Sequence, residues 1–170
     1  MELAEIKREL EKVSDEEVWS LYSYLVQHLK ERGLVRGRNI VGDRGEFLAI
    51  EIYNKNTGLP KLQAAPEGTQ NVDALSRKGE RYSIKTISLP NTTTGVFHGL
   101  SEPGNPEKEH KFEYVIVVVI DDNYDPVKVY ELNWEQFLKY RKWHKTMRAW
   151  NISLTKQLCD EAKLIVLNRK

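Results

Sequence analysis

The spacing of apolar residues divides the chain into segments of different character. Near the start, Leu3, Ile6 and Leu10, then Val18, Leu21, Leu25 and Leu29, recur at three- and four-residue steps, the period of a helix with one apolar face. Ser14 followed by Asp15, Glu16 and Glu17 has the form of an N-cap with a capping-box acid three positions on. The spacing therefore predicts two helices over 2–32, stopped by Gly33. From Gly45 a second pattern begins, in which Phe47, Leu48, Ile50, Ile52 and Tyr53 predict a mostly buried helix of about three turns. A polar loop with Asn54, Asn56, Gly58 and Pro60 ends it.

Two short strands are predicted next, over 71–76 and 81–88, joined by Arg77-Lys78-Gly79. A loop rich in Pro, Asn, Thr and Gly follows over 89–106. Residues 115–120 form an unbroken β-branched run, the pattern of a strand buried on both faces. That points to a mixed central sheet with helices on each side, an α/β fold. A further strand is predicted over 127–132, and Asn133 caps a helix that starts at Trp134. The organisation expected is a single domain: N-terminal helices over 1–33, a core over 34–132, and a basic, helical segment over 133–170 that holds one more helix or strand pair.

Composition narrows the possibilities. The chain has 170 residues, 40% hydrophobic and 30% charged, which fits a globular protein rather than a disordered one. Cys159 is the only cysteine, so no internal disulfide and no zinc site built on two thiolates can form. The longest apolar run is too short to cross a bilayer and the acidic start is unlike a secretory signal, so no membrane partner and a cytoplasmic location are expected. The net charge is only +1, but it is unevenly distributed. Residues 1–17 carry 3 basic and 7 acidic groups (−4), 18–100 carry 11 and 7 (+4), 101–135 carry 3 and 9 (−6), and 136–170 carry 9 and 2 (+7). Two basic stretches can supply a cationic surface in a neutral protein, with the acidic 101–135 stretch turned away from it.

The chemistry is concentrated in the predicted hairpin. With a three-residue loop in which Gly79 adopts the left-handed conformation, Ser76 faces Glu80 and Asp73 faces Ser83. Lys85, set between β-branched Ile84 and Thr86, then becomes the diagonal neighbour of Asp73 on the same face. Such a pair is either a structural ion pair or a site. Phosphodiester hydrolysis uses these residue types, because Mg2+ takes oxygen ligands and a lysine can orient or help deprotonate an attacking water. One carboxylate holds a metal weakly, which makes Glu46, at the start of the buried helix, the leading second acid.

Gly45-Glu46 opening a helix, then Asp73, then Ser83-Ile84-Lys85-Thr86 resembles the PD-(D/E)XK nuclease superfamily, whose fold is restriction-endonuclease-like. The match covers residues 45–88, about a quarter of the chain. It departs from the pattern at Val72, where proline is common, and at Ser83, which stands in the place of a second acid and is a poor Mg2+ ligand. Some members also carry serine there and recruit a helical glutamate. The resemblance implies a Mg2+-dependent endonuclease, with Mn2+ a possible substitute, in which Glu46, Asp73 and the main-chain carbonyl of Ile84 hold the metal. Lys85 would position the water and stabilise the transition state, and Ser83 would be an auxiliary group. It further implies double-stranded DNA as substrate, a small type II restriction enzyme as the reading that fits a stand-alone chain, and a homodimer, which matches the two-fold symmetry of duplex sites. The alternatives are a nuclease-like module without catalysis that binds DNA or protein, and a structure-directed repair or recombination nuclease.

Candidate DNA contacts are Thr92, Thr93, Thr94 and His98 in the loop after the lysine strand, and Lys142, Lys145 and Arg148 in the C-terminal segment, interleaved with aromatics. Arg36, Arg38 and Arg44 precede Glu46 and could approach the same substrate. The four histidines show no metal-ligand spacing, and no phosphate-binding glycine loop, nucleophile elbow or dinucleotide fingerprint is present.

Overall fold

The computed structural model describes residues 2–66 and 68–167. They form two compact units, divided between Arg38 and Asn39. The first unit is a pair of helices, α1 (Leu3–Leu10) and α2 (Asp15–Glu31), separated as expected at Ser14, whose side chain accepts from the Glu17 N–H while Glu17 reaches back to the Ser14 N–H at 2.8 Å.

The second unit begins with α3 (Ile40–Lys55). This helix starts earlier than the apolar pattern indicated, because the side chain of Asn39 caps it by accepting from Gly42 N at 3.1 Å. Glu46 is therefore in the body of the helix and not at its start. The strands β1 (Leu62–Ala64), β2 (Ala74–Ser76), β3 (Arg81–Ser88), β4 (Tyr114–Ile120), β5 (Pro126–Asn133) and β8 (Lys163–Ile165) make a mixed sheet in the order β1-β2-β3-β4-β5-β8. Only β3 and β4 are parallel; the other neighbours are antiparallel.

Alternation along the strands sorts the core onto two faces. Ile116, Val118 and Ile120 of β4 pack with Tyr82 and Ile84 of β3 against Leu48, Ala49 and Tyr53 of α3. Val115, Val117 and Val119 face the other way, toward Phe97, Phe112, Trp134, Phe137 and Leu158. β4 is thus covered on both sides, and each of its buried Val or Ile side chains contributes about 1.5–3 kcal/mol of transfer free energy.

The second face differs from the expected helical cover. Asn133 does cap α4 (Trp134–Tyr140), in a capping box with Gln136. The helix ends there, however, and β6 (Arg141–His144) and β7 (Ala149–Ile152) form a separate antiparallel hairpin before α5 (Lys156–Glu161). The basic segment 133–170 is therefore only partly helical. The polar loop after β3 is also ordered, because Thr93 bridges to Ser153 and Phe97 to Trp150 of the hairpin. Among the described residues no helix is long and apolar enough to cross a membrane.

Candidate functional site

The β2–β3 turn has the form its sequence predicted. Gly79 has φ +83°, its N–H donates to the Ser76 carbonyl at 3.0 Å, and Ser76 N–H donates to the Glu80 carbonyl at 2.9 Å. That turn fixes the register Ala74 opposite Tyr82, so Asp73 falls opposite Ser83. Asp73 is held from both directions. Its N–H donates to the Tyr82 carbonyl at 2.8 Å, while its Oδ2 accepts the Ile84 N–H at 2.6 Å and the Ser83 hydroxyl at 3.3 Å. Asn71 supports the approach: it sits at φ +61°, a conformation asparagine tolerates, and its side-chain amide donates to the His98 carbonyl at 2.8 Å.

These bonds also orient Ile84. Main-chain groups alternate sides along a strand, and those of Tyr82 and Ile84 are directed to the β2 side by their bonds to Asp73. The Ile84 carbonyl faces that same edge, beyond the first paired residue of β2. Asp73 Oδ1 and this carbonyl are both hard oxygen donors, the chemistry Mg2+ prefers. Ser83 is completely buried and its hydroxyl is directed at Asp73.

α3 approaches β3 very closely two residues beyond Ile84, at Thr86. A Cβ on Gly45 would lie 1.7 Å from Thr86 Oγ1 and 2.8 Å from Thr86 Cβ, so only glycine permits this contact. The Thr86 hydroxyl is buried there, with no hydrogen-bond partner among the described residues. Glu46 adjoins the contact point, one Cα step (about 3.8 Å) from Gly45. Among the described residues no cluster of three or more His, Cys, Asp or Glu side chains suited to a metal occurs.

Lys85 lies on the predicted face, but no carboxylate is within ion-pair distance of it among the described residues. Its ammonium instead sits 4.9 Å from the centroid of the Phe97 ring. Sequence reasoning missed Phe97, whose only local signal is an aromatic residue in a glycine-rich loop. The C-terminal hairpin holds the ring in place: Phe97 N–H donates to the Trp150 carbonyl at 2.7 Å, and Trp150 Nε1–H donates to the Ser101 carbonyl at 2.7 Å. Arg141 stacks 4.0 Å from the Trp150 centroid and pairs with Glu107. Burial raises the Glu107 carboxyl, but the Arg141 guanidinium and the Ser101 N–H outweigh it and hold the group below the ordinary carboxylate range.

The other candidates separate into distinct environments. Thr94 is buried, its hydroxyl donating to Gly95 O at 2.8 Å and accepting from Ile152 N at 3.1 Å, so it braces the loop and cannot reach a duplex. Thr92, Thr93 and His98 are exposed, with Thr93 Oγ1 3.0 Å from Ser153 Oγ. Arg44 is drawn to the β4–β5 turn, where Nε donates to the Tyr124 carbonyl at 3.1 Å and the guanidinium lies 4.0 Å from Asp125. Arg36 and Arg38 belong to the first unit. Arg148 pairs with Glu102, whereas Lys142 and Lys145 are exposed and form no ion pair among the described residues.

The acidic 101–135 stretch does not turn away from the basic segments. Glu102 and Glu107 neutralise Arg148 and Arg141, Glu131 takes Lys163 at 3.0 Å, and Glu113 takes Arg81 at 2.6 Å. No protein-family model matches the chain, and no curated protein matches it either.

Proposed function

We propose that the chain is a Mg2+-dependent endonuclease of double-stranded DNA with a restriction-endonuclease-like core. The reading rests on one observation above all. Asp73 is locked by the Ile84 N–H on a hairpin strand that carries Lys85 two residues from Ser83, with the Ile84 carbonyl on the same edge. The order of elements supports it: a helix with Gly45-Glu46, then the hairpin, then a buried strand parallel to β3.

In this reading Asp73 and the Ile84 carbonyl, with Glu46 from the neighbouring helix, hold Mg2+, and Mn2+ would fit the same oxygen donors. When bound, the ion polarises the phosphoryl oxygens and lowers the pKa of a water. Lys85, held over an aromatic face rather than tied to a carboxylate, is available to orient that water and to meet negative charge developing on the phosphate. Ser83 fixes Asp73 through its hydroxyl and takes no ligand role. A type II restriction enzyme acting as a homodimer is the form we favour.

The burial of Ser83 also favours a second reading, a nuclease-like module without catalysis, because the position of the usual second acid faces inward. Incubating plasmid DNA with Mg2+ and again with EDTA distinguishes the two. The first reading expects cleavage with Mg2+ alone, discrete bands for a sequence-specific enzyme, and loss of at least 100-fold in Lys85→Ala and Asp73→Asn. Binding of duplex without cleavage in either condition would support the second. Equal cleavage by wild type and Lys85→Ala would overturn the site.

A further inference from the structure

We infer that α1 and α2 form the interface between two copies of this chain, packed about a two-fold axis with α2 antiparallel to its copy. The first observation is the amount of uncovered apolar surface. Of the fourteen large hydrophobic side chains exposed among the described residues, nine lie in these two helices, including Trp19 (70% exposed) and Tyr24 (65%). Neither helix has a single buried residue. α2 is nonetheless well built, with a capping box and 17 residues, about 25 Å of length. A surface helix ordinarily directs its apolar stripe into a core. Here Leu3, Ile6 and Leu10 on α1 and Val18, Leu21 and Leu25 on α2 form helix-spaced stripes that all remain exposed.

The exposed apolar residues are spread around α2, and the stripe of Val18, Leu21, Tyr22 and Leu25 is the part that a single partner can cover. Charge then selects both the occupant and its direction. The first turn of α2 carries Asp15, Glu16 and Glu17, and its end carries His28, Lys30 and Arg32 with Glu31 between the last two, an acidic start and a net basic end. A parallel copy would set acid against acid. An antiparallel copy sets the acidic turn of each chain beside Lys30 and Arg32 of the other, twice over, as an isologous interface requires. A second copy of the chain therefore satisfies the apolar stripe and the charge gradient together.

The test uses the full chain and reads mass by light scattering, so its outcome is independent of DNA cleavage. Wild type is expected at twice 19.8 kDa. Val18→Glu/Leu25→Glu is expected at the single-chain mass with its far-ultraviolet dichroism unchanged, which shows the helices still form. Lys30→Glu/Arg32→Glu is expected to weaken the dimer at least tenfold, and adding Asp15→Lys/Glu16→Lys to restore it. A single-chain mass for wild type at every soluble concentration would overturn the interface, as would a dimer unaffected by Val18→Glu/Leu25→Glu. Charge reversal without loss, or loss without rescue, would overturn the antiparallel arrangement.

Discussion

Gly45→Ala probes the joint between α3 and β3 with a single methyl group. Alanine in a helix interior is favoured over glycine by about 1 kcal/mol, so propensity alone would stabilise the protein. The contact opposes this. The new methyl would lie 1.7 Å from Thr86 Oγ1, 2.8 Å from Thr86 Cβ and 3.0 Å from Cγ2. Rotating the threonine exchanges Oγ1 and Cγ2 but leaves Cβ in place, so α3 or β3 must shift. Overpacking of this kind costs about 1–3 kcal/mol. With a backbone-fixed atom in the clash the upper end applies, leaving a net loss of about 2 kcal/mol after the helix gain. In urea, with a slope of about 2 kcal/mol per molar, the midpoint should fall by about 1 M. Thr86→Ala removes the two mobile contacts and a buried hydroxyl that has no partner, leaving only the Cβ overlap. Combined with Gly45→Ala it should recover about 1 kcal/mol relative to the sum of the single changes. If the site is catalytic, a displacement of about 1 Å beside Glu46 and Lys85 should also cost on the order of 100-fold in rate. A Gly45→Ala protein whose midpoint equals or exceeds that of wild type would show that the joint between α3 and β3 accommodates the methyl group.

Further outcomes follow from other contacts. Arg81 donates to Glu113 through Nη2 at 2.6 Å, Nε at 3.1 Å and its own N–H at 2.6 Å, clamping the starts of the parallel strands β3 and β4. These bonds lower the Glu113 pKa. Its contribution is therefore present above the unfolded value of about 4.3 and lost as pH falls through the lower folded value. Glu113→Gln should flatten that part of an acid-unfolding curve, and an unchanged curve would remove the clamp. Arg141→Ala leaves the nearly buried Glu107 carboxylate unpaired and should cost about 3–5 kcal/mol in denaturant unfolding. Phe97→Leu keeps an apolar side chain but removes the ring beneath Lys85, and should reduce cleavage more than it reduces the melting temperature. Tyr53→Phe deletes the 2.5 Å hydrogen bond to buried Glu131 and should cost about 1–3 kcal/mol, readable in the same urea titration.

The parts of the fold legible in the sequence are those governed by neighbours in the chain. β3 runs over the predicted Arg81–Ser88, because alternating side chains and a glycine turn specify it locally. The capping box at Ser14 and the cap at Asn133 are legible for the same reason. The start of α3 was obscured because its first residues, Ile40 to Arg44, lack a clear apolar period. The β6–β7 hairpin was hidden because α4 passes into β6 at Tyr140–Arg141 with no glycine or proline to mark the change. At the site, the Asp73–Ser83 pairing followed from the turn, whereas the partner of Lys85 did not. Phe97 is set beneath the lysine by its bonds to Trp150, more than fifty residues along the chain, and by packing on Phe112 and Phe137.

That long-range brace has a consequence for how the protein is made. As the chain emerges from a ribosome, α3, the β2–β3 hairpin and β4 can assemble while residues 141–165 are still unsynthesised or enclosed. Asp73 would already be fastened to Ile84, but Phe97 would lack Trp150, and β5 would present an unpaired edge until β8 arrives. The lysine therefore acquires its platform among the last events of folding. A nascent or C-terminally clipped chain would carry the hairpin without the support that sets Lys85, so the position of that ammonium depends on completion of the second unit.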